Sequence, residues 1–338
     1  MIAVTGATGF LGAHLVCKLL QKGLYVKALK RTESSLEEFN YIYGLYFNKL
    51  TPNEKLTWVD ADVLDVPALE QALEGVDEVY HSAAMVSFHQ KDRNQMMQVN
   101  VQGTANVVNI CLIKGIKKLG YVSSIAALGR AKDGAKVDEK TQWVDSKLNS
   151  NYAVSKHKAE MEVWRGAEEG LKVAIVNPGV ILGSGKWDKG SCKLFEMVHK
   201  GMPFYTHGIN GYVDVKDVAD ALITLMDKNV FGERFVLVSE NAEMKRFLHE
   251  AANALGAKKA SIRVTPLLAE LAWIGAGIAA LFTGKRASIT KETSRASLKQ
   301  YFYSSEKIKV KINFEFIPLS KTIRSACDDL KQYYQTYP

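Results

Sequence analysis

The chain has 338 residues, 47% of them apolar and 24% charged. That is enough to bury a sizeable core without disulfides, and nothing in the sequence suggests a disordered or repeat architecture. Its formal charge of +8 comes without a basic run interleaved with aromatics, which argues against nucleic acid as a partner and for an anionic, phosphate-bearing ligand. Cys17, Cys111, Cys192 and Cys327 fall in no metal-binding or CxxC spacing, so no metal is expected. A first strand starting at Ile2 leaves no room for a secretory leader, so the expectation is a cytoplasmic protein with reduced, buried thiols.

Met1 to Thr5 reads as a short apolar strand. It runs straight into Gly6-Ala-Thr8-Gly9-Phe10-Leu11-Gly12 and a helix with Leu11, Leu15, Leu19 and Leu20 on one side. Glycines let such a turn bend tightly and approach a pyrophosphate, while the helix N-terminus offers free N–H groups and positive partial charge. The order of parts is that of a dinucleotide site, although the spacing is GxxGxxG instead of GxGxxG. Further strands are read at Tyr25 to Lys30, Leu56 to Asp60, Asp77 to Ala83, Lys118 to Ser124 and Lys172 to Asn177, the last stopped by Pro178-Gly179. The clearest helix between them is Asn94 to Ile113. This alternation predicts an α/β fold, a doubly wound parallel sheet of Rossmann type, with ligands outside the carboxyl ends of the strands. Gly6, Asp60, Ser124 and Pro178 all fall there.

After Pro178 the pattern becomes irregular. Residues 1–177 and 212–238 are assigned to the nucleotide-binding domain, and residues 178–211 and 239–338 to a smaller substrate-binding domain laid over the sheet's carboxyl edge. Pro266 to Phe282 is very apolar, interrupted by Glu270 alone. Its uncharged core from Leu271 is shorter than the roughly 20 residues that span a bilayer. A buried or substrate-covering helix is expected in preference to a membrane-surface contact.

Two features carry chemistry. Ser123-Ser124 closes the strand Tyr121-Val122, and Tyr152-Ala-Val-Ser-Lys156 opens a helix. Four-residue spacing puts Tyr152 and Lys156 on one helix face, where an ammonium can lower the pKa of a phenol. Together with the glycine turn, these features resemble the extended short-chain dehydrogenase/reductase superfamily (the NAD-dependent epimerase/dehydratase family). The look is closest to dihydroflavonol reductases and 3β-hydroxysteroid dehydrogenases.

The resemblance implies a catalytic set of Ser124, Tyr152 and Lys156. Tyr152 would move a proton to or from the substrate oxygen, Ser124 would donate a hydrogen bond to that oxygen, and Lys156 would also bond the nicotinamide ribose. The family's strand-end run closes on a glycine five positions after the catalytic hydroxyl. Gly129 therefore points to Ser124 and leaves Ser123 to the nicotinamide side.

Cofactor type is set after the second strand, where an acidic residue suits NAD and an arginine suits a 2′-phosphate. Lys30-Arg31 favours NADP, and Glu33 keeps NAD as the alternative. The resemblance implies cofactor contacts at Gly6, Thr8, Gly9, Phe10, Leu11 and Gly12 and at Arg31. It implies further contacts at Asp62 and Val63 beside the adenine, at Ala83 and Ala84, at Ser123, Tyr152 and Lys156, and at Pro178 and Val180 beside the carboxamide. Asn100 matches a mainly structural asparagine, and Asn177 stands where arginine is commoner.

Dehydratases of this branch carry an Asp-Glu pair directly after the strand-five hydroxyl, whereas here Ile125-Ala126-Ala127 follows Ser124. Arg31, Thr265-Pro266 with its apolar helix, and Tyr303-Ser304-Ser305-Glu-Lys307 look like the reductases. The expectation is an NAD(P)-dependent oxidoreductase acting on a fairly apolar carbonyl/alcohol substrate. A sugar-nucleotide epimerase with tightly bound NAD is the alternative. A non-catalytic cofactor-sensing protein is a second alternative, and the intact Ser124, Tyr152 and Lys156 argue against it. The expected partners are a small-molecule substrate and at most a second copy in a homodimer, with neither nucleic acid nor stable membrane insertion.

Overall fold

The structure, a computed structural model, describes residues 1–47, 53–129, 135–146, 149–283 and 290–336, with side chains described except at 277–283 and 295. Its centre is a seven-stranded parallel sheet. The strands are β1 (Ile2–Thr5), β2 (Val26–Lys30), β3 (Leu56–Asp60), β4 (Glu78–His81), β5 (Lys118–Val122), β6 (Lys172–Pro178) and β10 (Glu233–Leu237), in the order β10-β6-β5-β4-β1-β2-β3. Direction of winding reverses between β1 and β4, so the crevice for a ligand opens at the carboxyl end of β1, where the glycine turn begins.

Successive residues of each strand feed opposite layers, as a pleated sheet covered on both faces requires. Ile2, Val4, Val26, Ala28, Tyr80, Val122 and Val176 pack with α1 (Phe10–Gln21) and α8 (Val215–Asp227). Ala3, Leu29, Val79, Leu119, Tyr121, Val173 and Ile175 pack on the other side with α5 (Gly103–Ile113) and α6 (Asn151–Glu168). The helix expected over 94–113 is present, but α4 (Arg93–Met97) joins α5 through a π-helical turn, Gln98–Gln102. The wider turn carries Asn100, whose carboxamide accepts from Met85 N at 2.7 Å and donates to Met85 O and Ser155 Oγ, each at 2.9 Å. That clamp ties the segment after β4 to the first turn of α6.

Outside the main sheet, β7 (Val180–Leu182), β9 (Ile209–Asp214) and β11 (Glu240–Glu243) form a second sheet, and β8 (Phe204–Tyr205) pairs with β12 (Ile262–Arg263). Phe195 of α7 (Cys192–His199), Phe247 of α9 (Met244–Leu255) and Leu330 of α13 (Leu319–Thr336) close a third core around Trp187 and Tyr212. Ile308 and Ile312 of α12 (Glu306–Ile312) belong instead to the first core, against α8 and β10. All four cysteines are buried and free.

The apolar run forms α10 (Pro266–Thr283) and departs from the expected burial: Leu267 is 71% exposed, Leu271 55%, and Leu268 and Ile274 42% each. Among its described side chains Ala269 is buried, and its carbonyl accepts from Ser294 Oγ of α11 (Lys291–Ala296) at 2.7 Å. Beside it, burial pushes the Glu292 carboxyl up, and the Ser150 hydroxyl and Asn151 N–H at the start of α6 pull part of the way back. No helix among the described residues is long and apolar enough to cross a membrane.

Candidate active site

Gly6, in a left-handed conformation at φ +67°, lies so close to Ala83 that a Cβ would come within 2.7 Å of its backbone. A Cβ on Gly12 would stand 2.0 Å from the Gly6 carbonyl oxygen. These two glycines are demanded by the protein's own packing. Gly9 differs: its φ is −91° and a Cβ there would meet only the Gly6 oxygen, at an ordinary 3.5 Å. It caps α1 without a side-chain hydrogen bond, and no acid occupies the first turn, so the leading N–H groups stay available to an anion. Thr8 and Phe10 border this turn half-buried, and Leu11 is buried beneath it.

Ser124 stands just past β5, and its Oγ accepts from Ala126 N at 3.1 Å, which leaves the hydroxyl proton free to donate. Tyr152 lies in the first turn of α6, half-buried, with Phe88 at 6.0 Å between ring centres. Burial pushes its phenol above the ordinary tyrosine value, and the Ser124 hydroxyl pulls part of the way back. Lys156 is fully enclosed and donates to Tyr121 Oη at 3.0 Å and Val122 O at 2.8 Å. The ammonium is thus held by the end of β5 instead of by Tyr152, and it does not offset the rise of the Tyr152 phenol as the helix spacing had implied. Burial lowers Lys156 itself to about 7, against the pull of Glu160.

Residues 2–238 match the NAD-dependent epimerase/dehydratase family. The chain belongs to that family. Over 99% of its length it is 30% identical to a Synechocystis sp. protein provisionally named dihydroflavonol 4-reductase, of which it covers 94%. Over 78% of its length it is 30% identical to sterol demethylase protein B of Methylococcus capsulatus, covering 77% of that protein. In fold it superposes on the Thermus thermophilus UDP-glucose 4-epimerase solved with NAD, at a TM-score of 0.75 and 21% identity over 98% of both chains. The protein is therefore an NAD(P)-dependent enzyme of the extended short-chain dehydrogenase/reductase type.

The residues of this family member fit a dinucleotide. Gly9 is a cradle that no packing of the protein requires, set at an uncapped helix start. Arg31 is exposed and reaches Glu33 only at 4.0 Å, whereas Lys30 is engaged by Asp60. The side chain of Asp62 accepts from Leu64 N, and Val63 lies buried against Gly103 with its carbonyl taken by Asn106. Ala83 packs on Gly6 and Ala84 is exposed beyond it. Pro178 ends β6 and Val180 opens β7. Ser123 is turned inward: its Oγ donates to Glu160 at 2.5 Å.

Sequence reasoning missed Tyr121, the partner that holds Lys156, and the buried Glu160, which accepts from Ser123, Asn177, Trp164 and Arg234. The one available signal was helical spacing, because Glu160 follows Lys156 by four residues and Tyr152 by eight.

Proposed function

We propose that this enzyme is an NADP-preferring reductase or dehydrogenase of a fairly apolar carbonyl/alcohol pair, with residues 178–211 and 239–338 forming the part that takes the substrate. The observation that carries this reading is that the Ser124 hydroxyl and the ring of Phe88 lie at the Tyr152 phenol, while Ile125-Ala126-Ala127 follow Ser124 where a dehydratase needs acidic groups. In the reductive direction the Ser124 O–H donates to the carbonyl oxygen and polarises it. Tyr152 then transfers its proton to the same oxygen as the carbon is reduced, and Lys156, held at the end of β5, is left to bond the nicotinamide ribose. A bound nicotinamide supplies the hydride. In the oxidative direction Tyr152 accepts the alcohol proton.

Purified protein is expected to oxidise NADPH stoichiometrically with an apolar aldehyde or ketone, followed by loss of absorbance at the reduced nicotinamide band. Tightly held NAD with interconversion of sugar nucleotides and no net cofactor change would overturn the reading in favour of an epimerase. Cofactor preference is separately testable at Arg31. Arg31→Ala is expected to weaken NADPH about tenfold or more while leaving NADH nearly unchanged, since a charge-assisted bond to the 2′-phosphate alone is removed. Equal losses for both cofactors in a fluorescence titration would exclude NADP preference by this route.

A further inference from the structure

We propose that Glu160, with Arg234 as its counter-charge, is a positioning residue that sets the placement of Ser124 and the charge state of Lys156 without touching substrate or cofactor. The inference rests on reading Ser124, Tyr152 and Lys156 as the catalytic set.

Glu160 has no exposed surface. One carboxylate oxygen accepts from Arg234 Nη1 at 2.9 Å and Trp164 Nε1 at 3.3 Å; the other accepts from Ser123 Oγ at 2.5 Å and Asn177 Nδ2 at 2.8 Å. A carboxylate taken fully out of water is costly unless paired and bonded on both oxygens, and four donors from α6, β6, β10 and the end of β5 meet that requirement. Arg234 supplies the balancing charge and is itself locked, with Nε and Nη2 bonded to Glu139 O at 3.0 and 2.7 Å and Nη2 to Thr141 O at 3.2 Å.

Two of these contacts reach the catalytic serine. The same Asn177 Nδ2 that Glu160 holds also donates to the Ser124 carbonyl at 3.1 Å, and the neighbouring Ser123 is fixed by its own hydroxyl. Ser124 presents its Oγ on the turn between these anchors. Releasing Glu160 frees both anchors at once, and a reacting group displaced by about 1 Å can lose on the order of a hundredfold in rate.

A third link is electrostatic. Lys156 faces the Tyr121 phenol from β5, His81 from β4, and Tyr152 and Glu160 from its own helix. Tyr121 is held neutral by burial, as is His81, whose imidazole burial takes down to about 3. Glu160 is then the one anionic charge among these groups that favours the ammonium. Removing it lowers the Lys156 pKa further, so the alkaline limb of the kcat profile moves to lower pH.

The test compares kcat, KM, cofactor affinity and the pH profile of Glu160→Gln with those of Tyr152→Phe and the surface control Glu168→Gln. Glu160→Gln is expected to lower kcat about 10- to 100-fold with little change in KM. Its alkaline limb should fall by roughly half a pH unit or more. If the single variant fails to fold, Glu160→Gln with Arg234→Met removes both buried charges together and is expected to fold with the same lowered limb. An unshifted limb with unchanged kcat per folded molecule, in either variant, overturns the positioning role while an inactive Tyr152→Phe leaves the catalytic reading standing. An active Tyr152→Phe overturns that reading itself.

Discussion

Tyr152→Phe is expected to fold and bind cofactor as the parent does while losing about 10²- to 10⁴-fold in kcat, the usual range for one general acid. That factor corresponds to about 3–5 kcal/mol of barrier. Phenylalanine keeps the ring against Phe88, so the local packing survives. Cofactor affinity should survive as well, because Lys156 is held by Tyr121 and Val122 and not by the deleted hydroxyl. The sign of the pH dependence follows from two opposite shifts. Tyr152 is raised above its ordinary value, so it stays protonated and able to donate across the neutral range. Lys156 is lowered to about 7, so its ammonium is present below that pH and lost above it. The alkaline limb of reductive kcat should therefore follow the lysine. Stopped-flow turnover beside an NADPH titration checks both parts, and near-normal turnover in the phenylalanine variant would show that another group delivers the proton.

What was legible in the sequence is what depends on neighbours close along the chain. The strand at Ile2–Thr5, the glycine turn and the helix after it are local periodicities, and the structure places all three at the switch of strand order. The Tyr152 to Lys156 spacing likewise fixed a shared helix face. The partner of Lys156 was not legible, because it depends on which residue β5 presents opposite α6 when the two pack; an intrahelical phenol and Tyr121 were equally compatible with the spacing. Glu160 depends on a longer chain of circumstances. Its counter-charge comes from β10, which reaches it only because β10 lies beside β6 in register, with Val236 opposite Asn177. A largely apolar run such as Leu267 to Ile274, broken by Glu270 alone, says that a helix is poor in charge, but not whether anything covers it, and here the described face is open. The π-helical turn at Gln98–Gln102 is a similar case, since the pull of Asn100 on Met85 and Ser155 is a tertiary demand that no propensity records.

The glycines of the first turn should separate under mutation into one that the protein needs and one that the ligand needs. Alanine at Gly12 puts its methyl 2.0 Å from the Gly6 carbonyl oxygen and 2.7 Å from that carbonyl carbon, so the turn must shift as a unit. Gly12→Ala is expected to lower stability by about 1–3 kcal/mol, the range for overpacking a tight site, and to abolish measurable dinucleotide binding. Alanine at Gly9 meets the Gly6 oxygen at 3.5 Å and has an ordinary backbone conformation, so the protein accommodates it and the melting temperature should stay near that of the parent. The added methyl nonetheless occupies the space over the uncapped start of α1, where the proposed site would bring a pyrophosphate close enough to accept from the backbone N–H groups. Gly9→Ala is therefore expected to weaken both NADPH and NADH by roughly tenfold or more, since the pyrophosphate is common to them and a helix-terminus contact of this kind is worth on the order of 1–2 kcal/mol. Thermal melts with cofactor titrations on the two variants check the contrast. Parent-like affinity in Gly9→Ala would mean that the pyrophosphate lies elsewhere, and a melting temperature as low as that of Gly12→Ala would mean that Gly9 is there for the turn and not for the ligand.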